Sequence, residues 1–267
     1  SGIRSFFESF LDIFVPILSV SIYVLWGLKV IIIIDLMTFI FAYLTLIIFV
    51  KIPKLQISDK KESFINDFIL GIKYLLSMKD ILALIFFMGF INLVYGIYST
   101  ALAPMVLLRN GNNDFQLGIV TSMIGIAGLV GSMLLKFFPK FKNYSVLLTN
   151  IMIFSFGVCN FSLGIGKNYI IWILGIFLGN ILVPLLLAHV DYLTRVRIPI
   201  ELQGRVFSAR NTIQYLFLPV GIFLSGVLND FIFYPIIKDN YSLMKNLSFL
   251  GKNNRELSIA LLYIFIG

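Results

Sequence analysis

Residues 189–230 read HVDYLTRVRIPIELQGRVFSARNTIQYLFLPVGIFLSGVLND and contain two apolar runs separated by a short basic turn, TRVRIPIELQGR, at 194–205. Two long hydrophobic helices joined by a short charged turn form an antiparallel pair that crosses a bilayer. The Ser, Asn, Thr, Gln and Tyr residues in the second run then need partners, because an unpaired hydroxyl or amide in hydrocarbon costs free energy. They either bond to a neighbouring helix or line a water-filled path.

The composition of the whole chain extends this prediction. The 267 residues are 59% hydrophobic and 13% charged, with a mean hydropathy of +0.97. Apolar stretches of about 20 residues match the roughly 30 Å hydrocarbon layer of a bilayer at 1.5 Å rise per residue. The sequence therefore predicts an all-α polytopic membrane protein whose first partner is the lipid bilayer.

Eight apolar segments, spans A to H, have the character of transmembrane helices. They lie at about 6–25, 29–50, 81–108, 115–137, 144–165, 168–193, 204–230 and from 257 onward. A polar connector at 51–80 follows span B and contains an amphipathic helix at 63–78, which we expect in the membrane interface. A long polar loop is predicted at 231–256. The chain starts without Met and stops inside span H, so we expect a piece of a longer protein.

The Lys and Arg residues are distributed unequally between the two sides of the predicted bundle. If the connector is cytoplasmic, 14 of the 21 basic residues lie on its side. They are Arg4, Lys51, Lys54, Lys60, Lys61, Lys73, Lys79, Lys136, Lys140, Lys142, Arg195, Arg197, Arg205 and Arg210. Cytoplasmic loops carry an excess of Lys and Arg, so we expect a multi-pass cell-membrane protein with a cytoplasmic connector. Because the basic residues lie at the ends of apolar runs, the net charge of +8 does not indicate nucleic-acid binding.

The chain has few residues suited to catalysis or metal binding. It contains one cysteine, Cys159, one histidine, His189, and no GxxxxGK[ST] phosphate-binding loop. His189 and Asp191 are two residues apart on a helix, so their side chains point about 200° apart and cannot act on one substrate together. We therefore expect a protein that is not an enzyme and that has no cofactor, nucleotide or metal site.

Three spans carry polar side chains that are candidates for substrate binding. They are Asn92, Tyr95 and Ser99 in span C, Asn180 in span F, and Ser208, Asn211, Thr212 and Tyr215 in span G. Within spans C and G the spacing places them on a helical face. Amide and phenol groups orient a ligand while aromatic rings provide apolar surface, which favours a cavity wall. The alternative is interhelical hydrogen bonding that only holds the bundle together.

Span D carries small residues in place of such a polar face. Gly125, Gly128 and Gly131 recur at three-residue spacing, which lets helix backbones approach closely. We interpret this stripe as a packing surface, with a sliding or hinge surface as the functional alternative.

Carboxylates inside spans are candidates for function, because a charged group in hydrocarbon is costly. Asp35 lies about 9 Å into span B and either carries a coupling proton or pairs with a residue on another helix. Asp12 lies near the start of span A, where it either titrates with Glu8 or is solvated at the interface. Asp191 can pair with Arg205 or Arg195 as a latch on the connector side. The alternative is that these basic residues only contact lipid headgroups.

Two stretches resemble one family of membrane transporters. They are IPIELQGRVFSARNTIQYLFLPVGIFLSGVLND at 198–230 and IIIIDLMTFIFAYLTLIIFVKIP at 31–53. They are similar to the tenth-to-eleventh helix junction and to the sixth helix of the macrolide-efflux-like branch of the major facilitator superfamily. The turn between spans D and E departs from the family pattern, because only Lys136, Lys140 and Lys142 stand where an acidic residue and a run of arginines are often found.

The resemblance implies a secondary transporter in which two six-helix bundles rock about a central cavity. Residues 1–50 would be the last two helices of the first bundle, 51–80 the cytoplasmic connector, and 81–267 the second bundle with its last helix truncated. The other helices of the first bundle would then be missing partners.

The same resemblance implies proton-coupled efflux of hydrophobic or amphipathic small molecules, macrolide-like drugs among them. An importer or polar-solute carrier of the same fold is one alternative. A membrane-embedded enzyme or the permease of an ATP-driven pump is another. Strongly charged substrates are disfavoured, because spans C, F and G bring no Lys or Arg to their centres.

Overall fold

The computed structural model describes residues 2–49, 64–137 and 144–267, and the regular secondary structure in these ranges is helical. The α-helices are α1 (Gly2–Phe49), α2 (Phe64–Ser77), α3 (Lys79–Arg109), α4 (Asp114–Leu134), α5 (Tyr144–Ile165), α6 (Tyr169–Asn180), α7 (Val183–Arg197), α8 (Ile200–Val227), α9 (Tyr234–Asp239), α10 (Tyr241–Asn246) and α11 (Asn254–Ile266). A 3₁₀ turn, Leu135–Phe137, follows α4, and a π-helical segment, Leu228–Phe233, follows α8. The predicted all-α class is confirmed.

Within the described ranges, six helical segments are long and apolar enough to cross a membrane. They are Leu25–Ile48, Lys79–Arg109, Asp114–Leu134, Tyr144–Ile165, Tyr169–Arg197 and Ile200–Asp239, and they correspond to spans B to G. The chain therefore has the fold of a polytopic membrane helix bundle. Span A lies in the first part of α1, and span H forms the 13-residue helix α11.

Spans A and B are separated by a kink at a single residue of α1. Gly27 has φ 74° and ψ 178°, which breaks the helix there. Residues with a side chain rarely adopt this positive φ, so glycine is the residue that allows the chain to turn. α1 packs against α4. Its second half, Leu25–Ile48, is not buried by any other part of the chain that the structure describes.

Span F is one apolar run in the sequence but two helices in the structure. α6 ends at Asn180, and α7 begins at Val183 with Pro184 in its first turn. Proline lacks the N–H needed inside a helix but fits its first turn, so the break falls immediately before it. A Cβ at Gly131 of α4 would lie 2.1 Å from the Ile181 carbonyl oxygen at the break. The packing role predicted for the glycines of span D is confirmed at this position.

The segment between spans G and H differs from the predicted polar loop. The π-helical segment, α9 and α10 continue helical structure to Asn246, so the predicted loop at 231–256 is wrong in most of its extent. The physical reason is that apolar side chains stand among the lysines. Ile237 is buried in a cluster with Leu250, Leu257 and Ala260, which joins the segment to α11.

α3 and α8 pack closely along their length. Their contacts pair Gly89 with Phe217, Leu93 with Gly221, and Ile97 with Ser225. In each pair the second number exceeds the first by 128, so the two helices run parallel. The Ser225 hydroxyl donates to the Ile97 carbonyl at 3.2 Å, which satisfies a buried polar group.

α2 packs against α8 at the connector end. A Cβ at Gly71 would lie 2.6 Å from the Arg205 carbonyl oxygen, and Leu75 is fully buried in a cluster that includes Val206 and Ala209. The apolar face that predicts an interfacial helix is therefore covered partly by protein. Residues 50–63 of the connector lie outside the described part of the chain.

Candidate functional site

The polar face predicted for span C lies on α3, with Tyr95 and Ser99 exposed. The Asn92 side-chain amide donates to the Gln214 carbonyl of α8 at 3.2 Å. The Ser99 hydroxyl donates to the Gly96 carbonyl of its own helix at 3.2 Å. Asn92 thus contributes an interhelical bond, while Tyr95 and Ser99 remain on the surface of the described bundle.

The polar face predicted for span G lies on α8, near the connector end. Ser208, Asn211, Thr212 and Tyr215 are all exposed. The Thr212 hydroxyl donates to the Ser208 carbonyl of the same helix at 3.0 Å. Exposure of four polar residues within eight positions of an apolar helix is unfavourable in hydrocarbon, so this face needs water, a ligand or another helix.

The parallel register relates the two polar faces. With the offset of 128, Asn92 of α3 lies at the depth of Val220 of α8, five residues beyond Tyr215 and about 7.5 Å further along the bundle. At about 100° per residue, the α3 set lies on the same side of the α3–α8 contact line as Asn211 and Tyr215. Thr212 is turned about 100° from Asn211, away from α3, although it lies only about 40° from Ser208 one turn earlier.

Six residues therefore form one staggered path, called the polar track below. It consists of Ser208, Asn211 and Tyr215 at the connector end and Asn92, Tyr95 and Ser99 further along. Asn180 lies elsewhere, on α6, which packs against α4 and α5. Its side-chain amide donates to the Ile176 carbonyl of its own helix at 2.8 Å.

A charged cluster joins α7 and α8 beside the track. Asp191 accepts a hydrogen bond from Arg210 at 3.2 Å and lies 3.9 Å from Arg195. The two guanidinium groups lie 5.1 and 5.7 Å from the centre of the Phe207 ring, within the range of cation–π attraction. Of the two predicted partners of Asp191, Arg195 is thus close to it, whereas Arg205 is partly buried five residues before Arg210 on α8, where its backbone contacts α2.

Arg210 also contacts the track directly. Its Nε donates to Asn211 Oδ1 at 3.2 Å, and only 13% of its side chain is exposed. The charge pattern places Arg210 among the cations of the connector side, whereas the structure buries it ten residues after the start of α8 at Ile200. An arginine about 15 Å along a membrane helix is costly, so its position in the sequence is the signal that could have identified Arg210 as a functional candidate.

A second ion pair lies at the connector end of α3. Arg197 of α7 donates to Asp80 at 3.1 Å, with 53% and 80% of the two side chains exposed. The pair borders a cavity of about 510 Å³ between α3, α5 and α7. The polar residues lining it are Asp80, Tyr144, Ser145, Thr149 and Arg197, so it contains none of the predicted binding residues.

The remaining predicted acidic residues lie on α1. Asp35 is exposed, and no ion pair joins it to another residue that the structure describes. Asp12 belongs to the helical backbone of α1, but its side chain lies outside the described residues. His189 Nδ1 lies 2.8 Å from the Leu185 carbonyl of its own helix. In the described ranges, no group of three or more His, Cys, Asp or Glu residues could hold a metal ion.

Two curated relatives are similar to the chain over most of its length. The chain is 27% identical over 235 residues to macrolide efflux protein A of Streptococcus pyogenes, which covers 86% of the chain and 57% of the relative. It is 26% identical over 227 residues to macrolide efflux protein A of Enterococcus faecalis, which covers 83% and 69%. The chain thus spans little more than half the length of the streptococcal relative. No protein-family model and no solved structure matches it.

The two ion pairs are expected to differ in their contribution to stability. Asp191→Asn should lower the free energy of unfolding by about 1–3 kcal/mol, because it leaves the largely buried Arg210 without its counter-ion. This is below the loss for fully buried pairs, since 44% of the Asp191 side chain is exposed. Asp80→Asn should cost less than about 1 kcal/mol, because both partners are exposed.

Thermal unfolding of the complete protein in detergent measures both variants. The double variant Asp191→Asn/Arg210→Gln, which removes both charges, should recover part of the loss. Equal losses in the free energy of unfolding for Asp191→Asn and Asp80→Asn would contradict the larger contribution expected from the pair that contains the largely buried Arg210.

Proposed function

We propose that this chain is part of a secondary transporter of the major facilitator superfamily that exports hydrophobic or amphipathic small molecules. The observation that carries the proposal is the similarity of more than four-fifths of the chain to two proteins named macrolide efflux protein A. Six helices suited to crossing a membrane agree with it. Neither relative's name describes an enzyme. Macrolide-like drugs are therefore the first substrates to test.

The polar track is the proposed wall of the substrate path. Five of its six residues, all except Asn92, are exposed on an otherwise apolar helix pair, and hydroxyl and amide groups orient a ligand within apolar surface. The opposite wall would come from helices that precede residue 1 in the transporter fold. Thr212 and Asn180 belong to this proposal only if substrate also reaches the outer side of α8 or the break in span F.

Alternating access requires the two bundles to move as units. In this proposal residues 1–50 belong to the first bundle, and the contact between α1 and α4 is part of the surface along which the bundles rock. The Asp191–Arg210 pair, with Arg195 and Arg205 nearby, is the proposed latch at the cytoplasmic end. The connector would then lie on the cytoplasmic side of the cell membrane, as the basic residues indicate.

Asp35 is the proposed carrier of the coupling proton. It stands in the long apolar segment Leu25–Ile48, where an ionised carboxylate is costly. Asp12, in the first part of α1, is the second candidate for this role. A carboxylate that binds a proton in one state and releases it in the other couples the proton gradient to export.

Asp35→Asn is expected to abolish drug-dependent proton flux. With the complete protein in proteoliposomes and a pH-sensitive dye inside, the flux should fall by at least about 100-fold, the lower end of what a positioned proton-transfer group contributes. Asp239→Asn is the matched control, because Asp239 is an exposed carboxylate at the end of α9.

Unchanged proton flux in Asp35→Asn would indicate that Asp35 has a structural role. The role of coupling-proton carrier would then be assigned to Asp12 or another group. Wild-type protein that shows no drug-dependent proton flux, but transports a solute down its own gradient or with ATP, would overturn the proposed exporter.

A further inference from the structure

The side-chain amide of Asn211 has a fixed orientation. An amide has an acceptor end and a donor end, and either can face a neighbour. The Nε of Arg210 can only donate, because a guanidinium remains protonated in proteins. Asn211 must therefore direct its Oδ1 toward Arg210, as the 3.2 Å contact shows.

Arg210 is itself held in place. Its Nη2 donates to Asp191 at 3.2 Å, and its guanidinium lies over the Phe207 ring. With only 13% of its side chain exposed, it has little room to move. Asp191, Phe207 and Arg210 thus form a rigid support behind Asn211, and this support determines which end of the amide is free.

The free end of the Asn211 side chain is the NH₂ group. Asn211 is exposed, and Nδ2 is the amide atom that the Arg210 contact leaves free, between Ser208 and Tyr215 on the polar track. Two N–H donors at that point favour a ligand atom that accepts hydrogen bonds. A ligand N–H group placed there would face the N–H donors of Asn211, and two donors cannot form a hydrogen bond with each other.

We propose that Asn211 selects substrates that carry an uncharged acceptor oxygen, such as a ketone, ester or ether oxygen, at this point of the path. Arg210 is a positioning residue that acts through Asn211 and does not touch the substrate. Only 13% of the Arg210 side chain is exposed and its Nη2 donates to Asp191, so its guanidinium is not offered to an anionic substrate at this place. This inference rests on the proposed export of small molecules by the same site.

The test compares two ligands of equal size, one with a ketone oxygen and one with a methylene group in its place. Their dissociation constants are measured with the complete wild-type protein in lipid nanodiscs. The wild-type protein should bind the ketone about 10-fold more tightly, the ratio expected for one hydrogen bond between uncharged groups. In Asn211→Leu the ratio should fall to about 1, whereas the methylene ligand should bind as before.

Two further variants separate positioning from folding. Arg210→Lys keeps the positive charge beside Asp191 but removes the Nε–H donor, so the ketone preference should fall while affinity for the methylene ligand is unchanged. If Arg210 had only a structural role, Arg210→Lys would weaken the binding of both ligands equally, and this result would overturn the proposed positioning role of Arg210. Thr100→Val is the matched control, since its hydroxyl bonds to the Gly96 carbonyl of its own helix and it does not belong to the polar track, and it should keep the wild-type ratio.

The possible results also separate this inference from the proposed function. If wild-type protein binds and exports both ligands but Asn211→Leu keeps the preference for the ketone, the inference is overturned and the export proposal stands. If wild-type protein binds neither these ligands nor macrolide-like compounds, both are overturned. Loss of the preference in Asn211→Leu and Arg210→Lys, with the ratio of Thr100→Val unchanged, supports the inference.

Discussion

Gly221→Ala should lower the stability of the protein by about 3 kcal/mol, the upper end of the usual loss for overpacking. A Cβ at position 221 would lie 2.0 Å from the Leu93 carbonyl oxygen and 3.1 Å from the Leu93 Cα. These are backbone atoms of α3, so no side-chain rotation relieves the overlap. The helices must separate, and the contacts along the whole α3–α8 pair weaken together.

Gly226→Ala on the same helix is the matched control. A Cβ there would meet nothing within 4 Å. Alanine exceeds glycine in helix propensity by about 1 kcal/mol, so this variant should be neutral or slightly stabilising. The two substitutions are chemically identical and lie five residues apart, yet only Gly221→Ala is expected to lower the unfolding temperature.

Thermal unfolding of the detergent-solubilised protein, followed by size-exclusion chromatography, measures the difference. A Gly221→Ala variant as stable as Gly226→Ala would show that the helices do not approach at Leu93. Because the polar track depends on the α3–α8 register, Gly221→Ala should also weaken substrate binding, whereas Gly226→Ala should not.

Hydropathy was sufficient to predict where most helices lie. Span E, predicted at 144–165, coincides with α5, and span C differs from α3 by two residues at its start and one at its end. The reason is that a bilayer imposes one length and one composition on every crossing helix. The segment between spans G and H is more polar and has no single long apolar run, and it packs against α11 through the cluster around Ile237.

Contacts between helices were harder to predict from the sequence than the positions of the helices. Glycines in span D predict close packing, but the sequence does not indicate that Gly131 meets a carbonyl at the break in span F. The polar faces of spans C and G were predicted, while their stagger of five residues depends on a register that only the structure gives. Of the two partners predicted for Asp191, Arg195 lies 3.9 Å away, but the hydrogen bond comes from Arg210 and not from Arg205, because the two arginines look alike in the charge pattern.

Arg109→Leu is expected to lower stability by about 3 kcal/mol at the end of the bundle opposite the connector. Arg109 is the last residue of α3, and its guanidinium donates to four backbone carbonyls. They are those of Leu163 at 3.1 Å, Gly164 at 3.1 Å, Gly166 at 2.6 Å and Leu250. The first two are in the last turn of α5, where carbonyls have no partner within the helix. Hydrogen bonds to a charged donor contribute about 1.5–3 kcal/mol each, and they do not add fully.

Arg109→Lys is expected to recover only part of this loss. An ammonium group is compact and cannot reach four carbonyls that a planar guanidinium spans. Arg255→Leu is the matched control, because Arg255 is an exposed arginine of the same end that lies over the Tyr234 ring at 5.4 Å. Its loss should be no more than about 1 kcal/mol.

Hydrogen–deuterium exchange shows which parts of the structure Arg109→Leu destabilises. Exchange should increase at the end of α5 and around 247–253, while α2 and the connector end of α8 keep the wild-type rate. In the proposed mechanism the second bundle rocks as one body, and Arg109 is the residue that joins α3, α5 and the segment before α11. Arg109→Leu should therefore reduce export more than substrate binding, because the track is intact but its bundle no longer moves as a unit. Equal losses of binding and export would place the defect in the track and contradict this role for Arg109.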